Sequence, residues 1–245
     1  MVKDTPEDLR EAVCDNFASN YMNCDYLSRR AIMACTNKIV NAANHDMLQQ
    51  IPGEMHVSRS IDTCVEEEHQ ALHDEDFLNR LSPSGLPPHR LHLKVNSVII
   101  LIRNLSVRDG HCNGSRCVIQ SMTDKLIVAR RLDGSSEDIV LIPKIPMYSK
   151  ESDFVATFKR LQFPVVSACY LTFNRAQGQS LDRCGLLLPE SVFSHGHLCV
   201  GLSRCGDDDN VFMYANQDEF DSIRDDLPAN RTFTRNTVFT EIFDV

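Results

Sequence analysis

Val165-Val166-Ser167-Ala168-Cys169-Tyr170-Leu171 runs directly into Thr172-Phe173-Asn174-Arg175-Ala176-Gln177-Gly178-Gln179-Ser180. The first stretch is an apolar run of strand length; the second is polar and contains a glycine suited to a tight turn. Open α/β sheets bind their ligands at the carboxyl ends of buried strands, where this polar stretch falls. Thr172, Asn174 and Arg175 supply donors suited to phosphate oxygens. By spacing alone, the same residues also read as an ordinary polar connection from a strand to a helix.

The pattern repeats on either side. Ala31-Ile32-Met33-Ala34-Cys35 is a second short apolar run, ending at Thr36-Asn37. It reads as a buried strand leading into a helix over 38–50, with Thr36 or Asn37 as N-cap and Val40, Ala43 and Leu48 facing inward. Upstream, Leu9, Val13 and Phe17 recur at helical spacing within 7–20. Downstream, Cys184–Leu188 and Val211–Tyr214 read as strands, with a helix between them over 192–204.

The middle of the chain differs. Residues 52–91 read as loop-rich, with acidic runs and then Ser82-Pro83-Ser84-Gly85-Leu86-Pro87-Pro88. From Leu91 to Lys144 four short apolar segments, Val98–Ile102, Cys117–Ser121, Leu126–Ala129 and Ile139–Ile142, are punctuated by Asp109-Gly110, Asn113-Gly114 and Asp133-Gly134. Short strands at this spacing predict a small β-barrel. The expected architecture is therefore one α/β parallel-sheet domain, 1–90 with 150–245, interrupted by a small β-barrel insert at 91–149.

Bulk properties narrow the functional classes. Of the 245 residues 42% are apolar and 24% charged, as in an ordinary globular chain. No apolar run approaches the roughly 20 residues of a membrane-spanning helix, so no membrane role is expected. The polar N-terminus predicts no secretory signal. The ten cysteines include no Cys-x-x-Cys pair, and Cys35, Cys169 and Cys184 read as small buried hydrophobes in a reducing compartment. A formal net charge of −9 argues against non-specific coating of nucleic acid. The acidic excess is clustered at Glu66–Glu68, Asp74–Asp76 and Asp207–Asp209, which leaves room for a narrow binding track.

Other side chains carry two readings each. Thr36-Asn37 is a plain helix cap or, lying beyond a strand end, part of a ligand site. Arg204, closing Gly201-Leu202-Ser203-Arg204, either complements a helix C-terminus or reaches a nucleotide's γ-phosphate. His195 and His197 flank a glycine, but residues two apart do not share a helix face, so no metal is assigned to them.

Taken together these segments resemble the Pif-type (petite integration frequency) DNA helicases of superfamily one. Leu171 to Gly185 resembles that family's motif V, Phe193 to Arg204 its motif VI, and Arg30 to Asn37 its motif IV. Ser82 to Leu91 is similar to the entry into the family's 2B insert. Leu101–Leu105 with Gly110–Gly114 resembles the start of that insert, and Thr234–Phe239 the family's C-terminal end, as in eukaryotic and Helitron-transposon members. The resemblance covers nearly the whole chain, in order. It implies a second RecA-like domain of the P-loop NTPase type with a 2B barrel, from an enzyme that moves 5′ to 3′ along single-stranded DNA using ATP and Mg2+ in replication, repair, recombination and telomere maintenance. By this resemblance Arg204 is the catalytic arginine, Gln179 and Gly178 lie near the nucleotide with it, and Thr36, Asn37, Thr172, Asn174 and Arg175 contact DNA. The sequence departs from the family with Cys35 for proline, Arg175 for lysine and Gly201 for alanine. The last change puts a glycine inside a helix, at a cost of about 1 kcal/mol.

A helicase of this type also needs a loop ending in Gly-Lys-Ser/Thr to cradle the phosphates. None of the ten glycines here is followed by lysine, and no apolar strand ends in Asp-Glu. The sequence therefore predicts no ATP hydrolysis by this chain alone, no tightly held nucleotide or magnesium, and dependence on an N-terminal RecA-like domain in cis or in trans. Three readings follow: the C-terminal part of a helicase, a stand-alone module for single-stranded DNA or a protein partner, and a transposon-derived remnant. The expected location is intracellular, nuclear ahead of mitochondrial.

Overall fold

Ala31, Ile32, Met33 and Ala34 are all buried, as a strand covered on both faces requires. In the computed structural model, which describes residues 1–65, 75–83, 85–133, 138–149, 157–217 and 234–236, they belong to β1 (Arg30–Ala34). Its neighbours are β12 (Tyr170–Thr172) and β13 (Arg183–Leu188), and β14 (Val211–Ala215) follows β13, every pair parallel. The register sets Ala34 beside Thr172 and Leu187, so β1 and β12 release their chains at the same edge. The mixed α/β architecture with a parallel sheet is as expected. The chain divides into two compact units, 1–47 with 169–245, and 48–168.

Helices cover the parallel sheet. Pro6–Val13 starts from Thr5, whose hydroxyl accepts from the Asp8 amide at 3.1 Å. Its buried Leu9 and Val13 approach the sheet at Gly185, where a Cβ would lie 2.9 Å from Val13 Cγ2, so the glycine permits the close packing. Short helices at Phe17–Asn20 and Cys24–Ser28 bury Phe17, Tyr26 and Leu27. The helix Asn37–Gln50 begins as expected: Thr36 Oγ1 accepts from the Ile39 amide at 3.4 Å. Its buried positions include Val40, Asn44, Met47 and Leu48, whereas Ala43, expected to face inward, is only half-buried. Asn44 clips the edge strand, its Nδ2 donating to the Tyr170 carbonyl at 2.9 Å and its Oδ1 accepting from the Tyr170 amide at 2.8 Å. At the opposite edge Val2 bridges Met213 in parallel, and the Lys3 amide donates to the Met213 carbonyl at 2.8 Å.

The second unit is antiparallel. β11 (Val165–Ser167), β5 (Val98–Leu101), β6 (Arg116–Met122), β7 (Leu126–Arg131) and β8 (Ile139–Pro143) form a five-stranded sheet in that order, with a register shift between Ile119 and Ser121. β3 (Ile61–Cys64), β10 (Phe158–Gln162) and β9 (Ile145–Tyr148) make a second sheet, and β2 (His56–Arg59) pairs with β4 (Arg90–Leu93). Among the described residues these strands form three separate antiparallel sheets. Leu91, Leu93, Ile99, Leu101, Ile119, Ile142 and Phe163 lie in one core cluster. Arg160 and Asp62 are fully buried within this unit. Arg160 Nη2 and Nε bond the carboxylate at 2.6 to 3.1 Å, and its guanidinium also donates to the carbonyls of Pro87, Leu78 and Leu81.

Several expectations change. Residues 52–91 are not simply loop: they hold β2, β3 and the helix Glu75–Arg80, and this helix takes in part of an acidic run expected as loop. The run 165–171 is two strands, β11 in the antiparallel unit and β12 in the parallel one. The helix expected over 192–204 is only His197–Leu202, because Gly196 takes a left-handed φ of 78° that breaks it upstream. Glu66–Glu68, Asp74, Ser84, Gly134 and most of the C-terminal stretch resembling the family's end lie outside the described residues.

Candidate nucleic-acid interface

Parallel pairing of Ala34 with Thr172 places Thr36 and Asn174 two residues beyond partnered positions, on the same sheet edge. Thr36, Asn37, Thr172 and Asn174 accordingly line one cavity of about 360 Å3, together with Cys35, Phe173, Phe193, Ser194 and His197. The volume is within the range of small-ligand clefts. Four of the five residues expected to contact DNA are thus brought together. The fifth, Arg175, follows Asn174 in the short helix Phe173–Ala176 and is not among the lining residues.

Arg175 differs electrostatically from its neighbours. It is half-buried, and desolvation lowers its pKa from the usual guanidinium value. No hydrogen bond or ion pair engages it among the described residues. An arginine stays charged in such surroundings, so a partly desolvated cation without a protein anion follows the cavity-lining Asn174 in the chain. Burial also raises the Cys35 thiol to about 11, with the nearby Glu190 adding to the effect, so Cys35 is a neutral wall of the cavity.

The remaining expected residues form a second group. Arg204 Nε donates to the Val200 carbonyl at 2.9 Å, Nη1 to the Gln179 carbonyl at 3.3 Å, and Nη2 to Ser203 Oγ at 2.9 Å. The arginine therefore closes the C-terminus of its own helix, and it also joins that helix to the loop carrying Gly178 and Gln179. Leu181 bridges Cys205 alongside, with the Leu181 amide donating to the Arg204 carbonyl at 2.9 Å. Arg204 and Gln179 are half-buried and Gly178 is exposed with a φ of 79°. They share a partly exposed surface.

The sequence reading missed Phe193, Ser194 and His197 as cavity residues. His197 is 9% exposed and lies between two phenylalanines, stacked on Phe173 at 5.6 Å between centroids and edge-on to Phe193 at 5.1 Å. Its Nδ1 is buried with no hydrogen-bond partner, whereas Phe193 is 62% exposed. The left-handed turn at Gly196 lies between Ser194 and His197. Among the described residues no cluster of His, Cys, Asp and Glu could hold a metal, and no helix is long and apolar enough to cross a membrane. Among the described residues no cysteine forms a disulfide; Cys35 and Cys184 are buried and Cys169 half-buried.

Gly201 also has a structural explanation. A Cβ there would lie 2.6 Å from Phe173 Cε1 and 2.7 Å from Leu186 Cδ2. The helix gives up propensity at this position so that Phe173 can pack beneath it.

Comparison with known proteins agrees with these features. Residues 76–122 match the family model described as DNA helicase Pif1, 2B domain. An ATP-dependent DNA helicase PIF1 of Xenopus laevis is 30% identical over 179 residues, covering 71% of this chain and 26% of the relative. The chain thus spans about a quarter of the length of the curated relatives it matches. Among solved structures, a Bacteroides Pif1 helicase in complex with ADP-AlF3 and single-stranded DNA covers 98% of this chain and 49% of its own, at TM-score 0.60 and 16% identity. The Pif1 helicase of Candida albicans covers 91% and 56%, at TM-score 0.57 and 22% identity. The 2B match, the sequence relatives and the shared fold thus make this chain similar to part of the Pif1 DNA helicases.

Proposed function

We propose that the chain forms the DNA- and nucleotide-facing C-terminal part of an ATP-dependent 5′-to-3′ DNA helicase acting in replication, repair, recombination and telomere maintenance. In this reading the parallel sheet is the second RecA-like domain and the antiparallel strands belong to a barrel-type 2B insert. The observation that carries it is the convergence of Thr36, Asn37, Thr172 and Asn174 on one cavity, with the unpartnered Arg175 next in the chain. Neutral donors around a strand edge, with one available cation, suit a phosphodiester backbone.

Single-stranded DNA would lie against this edge, Arg175 pairing with one phosphate and the asparagines and threonines donating to neighbours. Mg-ATP is the substrate of the complete motor. Arg204 would turn from the Val200 and Gln179 carbonyls to the γ-phosphate, with Gly178 and Gln179 beside it. The 245 residues hold no Gly-Lys loop, so the phosphate cradle comes from a first RecA-like domain in cis or in trans, and this polypeptide alone does not hydrolyse ATP. The expected setting is the nucleus, then the mitochondrion. A second reading, a DNA-binding module without catalysis, is favoured by one observation: every residue lining the cavity belongs to a single compact unit.

Fluorescence anisotropy with labelled single-stranded DNA across a salt series tests the proposal. Binding is expected to weaken steeply with salt, and Arg175→Ala to lower the slope of log K against log salt by about one. Absence of binding at low salt overturns both readings of the cavity.

A further inference from the structure

We propose that Phe193 and His197 form a base-stacking subsite at this cavity, which takes one unpaired nucleobase without regard to its identity. The inference rests on the reading of the cavity as a single-stranded DNA site. It adds to that reading an aromatic platform where the polar residues alone would hold only backbone.

Three observations carry it. First, Phe193 lines the cavity while 62% exposed, and it is the only aromatic among the large exposed apolar residues described in its unit. An aromatic face left open beside phosphate-type donors is the arrangement by which proteins hold single strands with little sequence preference, because every base has a π face. Second, Phe193 does not stand alone. Its edge contact with His197, and the stacking of His197 on fully buried Phe173, make a three-ring column rooted in the core. The column positions the outer ring without a hydrogen bond that a ligand would have to displace. Third, His197 is more than nine-tenths buried at the cavity wall, and its Nδ1 has no partner. Buried ring nitrogens are normally satisfied. A polar group of a strand entering the cavity would supply the partner that this nitrogen lacks.

The geometry separates two kinds of contact. Asn37, Thr172 and Asn174 are polar, and Phe193 has only carbon in its side chain, so removing the phenyl ring should matter only when a base is present. Phe193 is largely exposed, so its replacement leaves the fold intact, and a thermal melt of each variant checks this.

The test uses the whole chain and two labelled single-stranded oligonucleotides of equal length, one normal and one with abasic sites along its centre. Phe193→Ala is expected to weaken binding of the normal strand about tenfold, to leave the abasic strand unchanged, and to be rescued by Phe193→Tyr. A 2-aminopurine base in the normal strand should lose fluorescence on binding the parent chain and keep it with Phe193→Ala. Equal weakening on both strands, or no change on either, overturns the subsite while parent binding upholds the DNA site. No binding of either strand by the parent chain overturns the subsite and the DNA reading together.

Discussion

Arg160 and Arg175 show how differently the two regions of the molecule treat a desolvated cation. In the antiparallel unit Arg160 is fully buried, doubly bonded to Asp62 and further satisfied by three backbone carbonyls. In the parallel-sheet unit Arg175 is desolvated enough to lower its pKa, with no acceptor supplied to it among the described residues. A guanidinium that closes its own network holds structure, whereas one left without an anion still has its donors to offer. The same contrast runs through the neutral groups: Ser58 and Gln162 bond each other inside the antiparallel unit, while Asn37 and Asn174 stand exposed at the sheet edge.

The contrast can be broken most forcefully at Arg160. Arg160→Ala leaves the Asp62 carboxylate buried without its cation, with the Ser60 hydroxyl still donating to it, and is expected to cost about 3–5 kcal/mol in urea unfolding. The double variant Asp62→Leu, Arg160→Met should recover much of that loss. Equal destabilisation by the single and double variants would mean that the pair is not the source of the effect. Next is Asn44→Ala, which strips both hydrogen bonds from the Tyr170 backbone and should cost about 2–3 kcal/mol. A loss under 1 kcal/mol would show that water replaces the side chain.

Gly201→Ala sets helix propensity against packing. Propensity favours alanine by about 1 kcal/mol, but overpacking against Phe173 and Leu186 costs about 1–3 kcal/mol, so the variant should be less stable by about 1 kcal/mol. A raised melting temperature would contradict the close approach.

Alkali probes both regions at once. Burial raises Cys35 to about 11 and raises Cys117 and Cys184 to about 12, from a usual value near 9. Folding keeps these thiols protonated, so their contribution is complete below pH 9 and falls as pH rises through 9 toward the folded values. Each should remove about 1 kcal/mol of stability per pH unit above 9. Cys117→Ala should flatten that decline, and an unchanged slope would remove Cys117 from the account. The smallest effect belongs to Arg175→Ala, which should change stability by less than about 0.5 kcal/mol while weakening DNA binding. A large loss of stability would make Arg175 structural and erase the contrast with Arg160.

Much of the parallel-sheet unit was legible in the sequence because its inward positions are apolar. Ala31 to Ala34 and Cys184 to Leu188 announce themselves as strands, and Thr36 caps the helix as its chemistry suggests. The strands β2 and β3 were not legible, because their inward residues include Ser58 and Asp62, which erase the expected alternation of apolar and polar positions. Asn44 escaped notice for the same reason, as a polar residue on the inward face of a helix. At the site, register alone explains why Thr36, Asn37, Thr172 and Asn174 meet. Phe193 and His197 required the backbone turn at Gly196, which is invisible to periodicity.

The pairing of β1 with β12 has a consequence for how the molecule comes into being. These two strands are neighbours in the sheet, yet the chain between them runs through all of residues 48–168. The binding edge is therefore a junction closed over a very long detour, and contacts of such high sequence separation form slowly. Once closed, the junction is nearly indifferent to the length of the detour, because closure entropy grows only with the logarithm of loop size. Evolution could thus enlarge, trim or replace the intervening segment while leaving the edge that carries Thr36 and Asn174 unaltered.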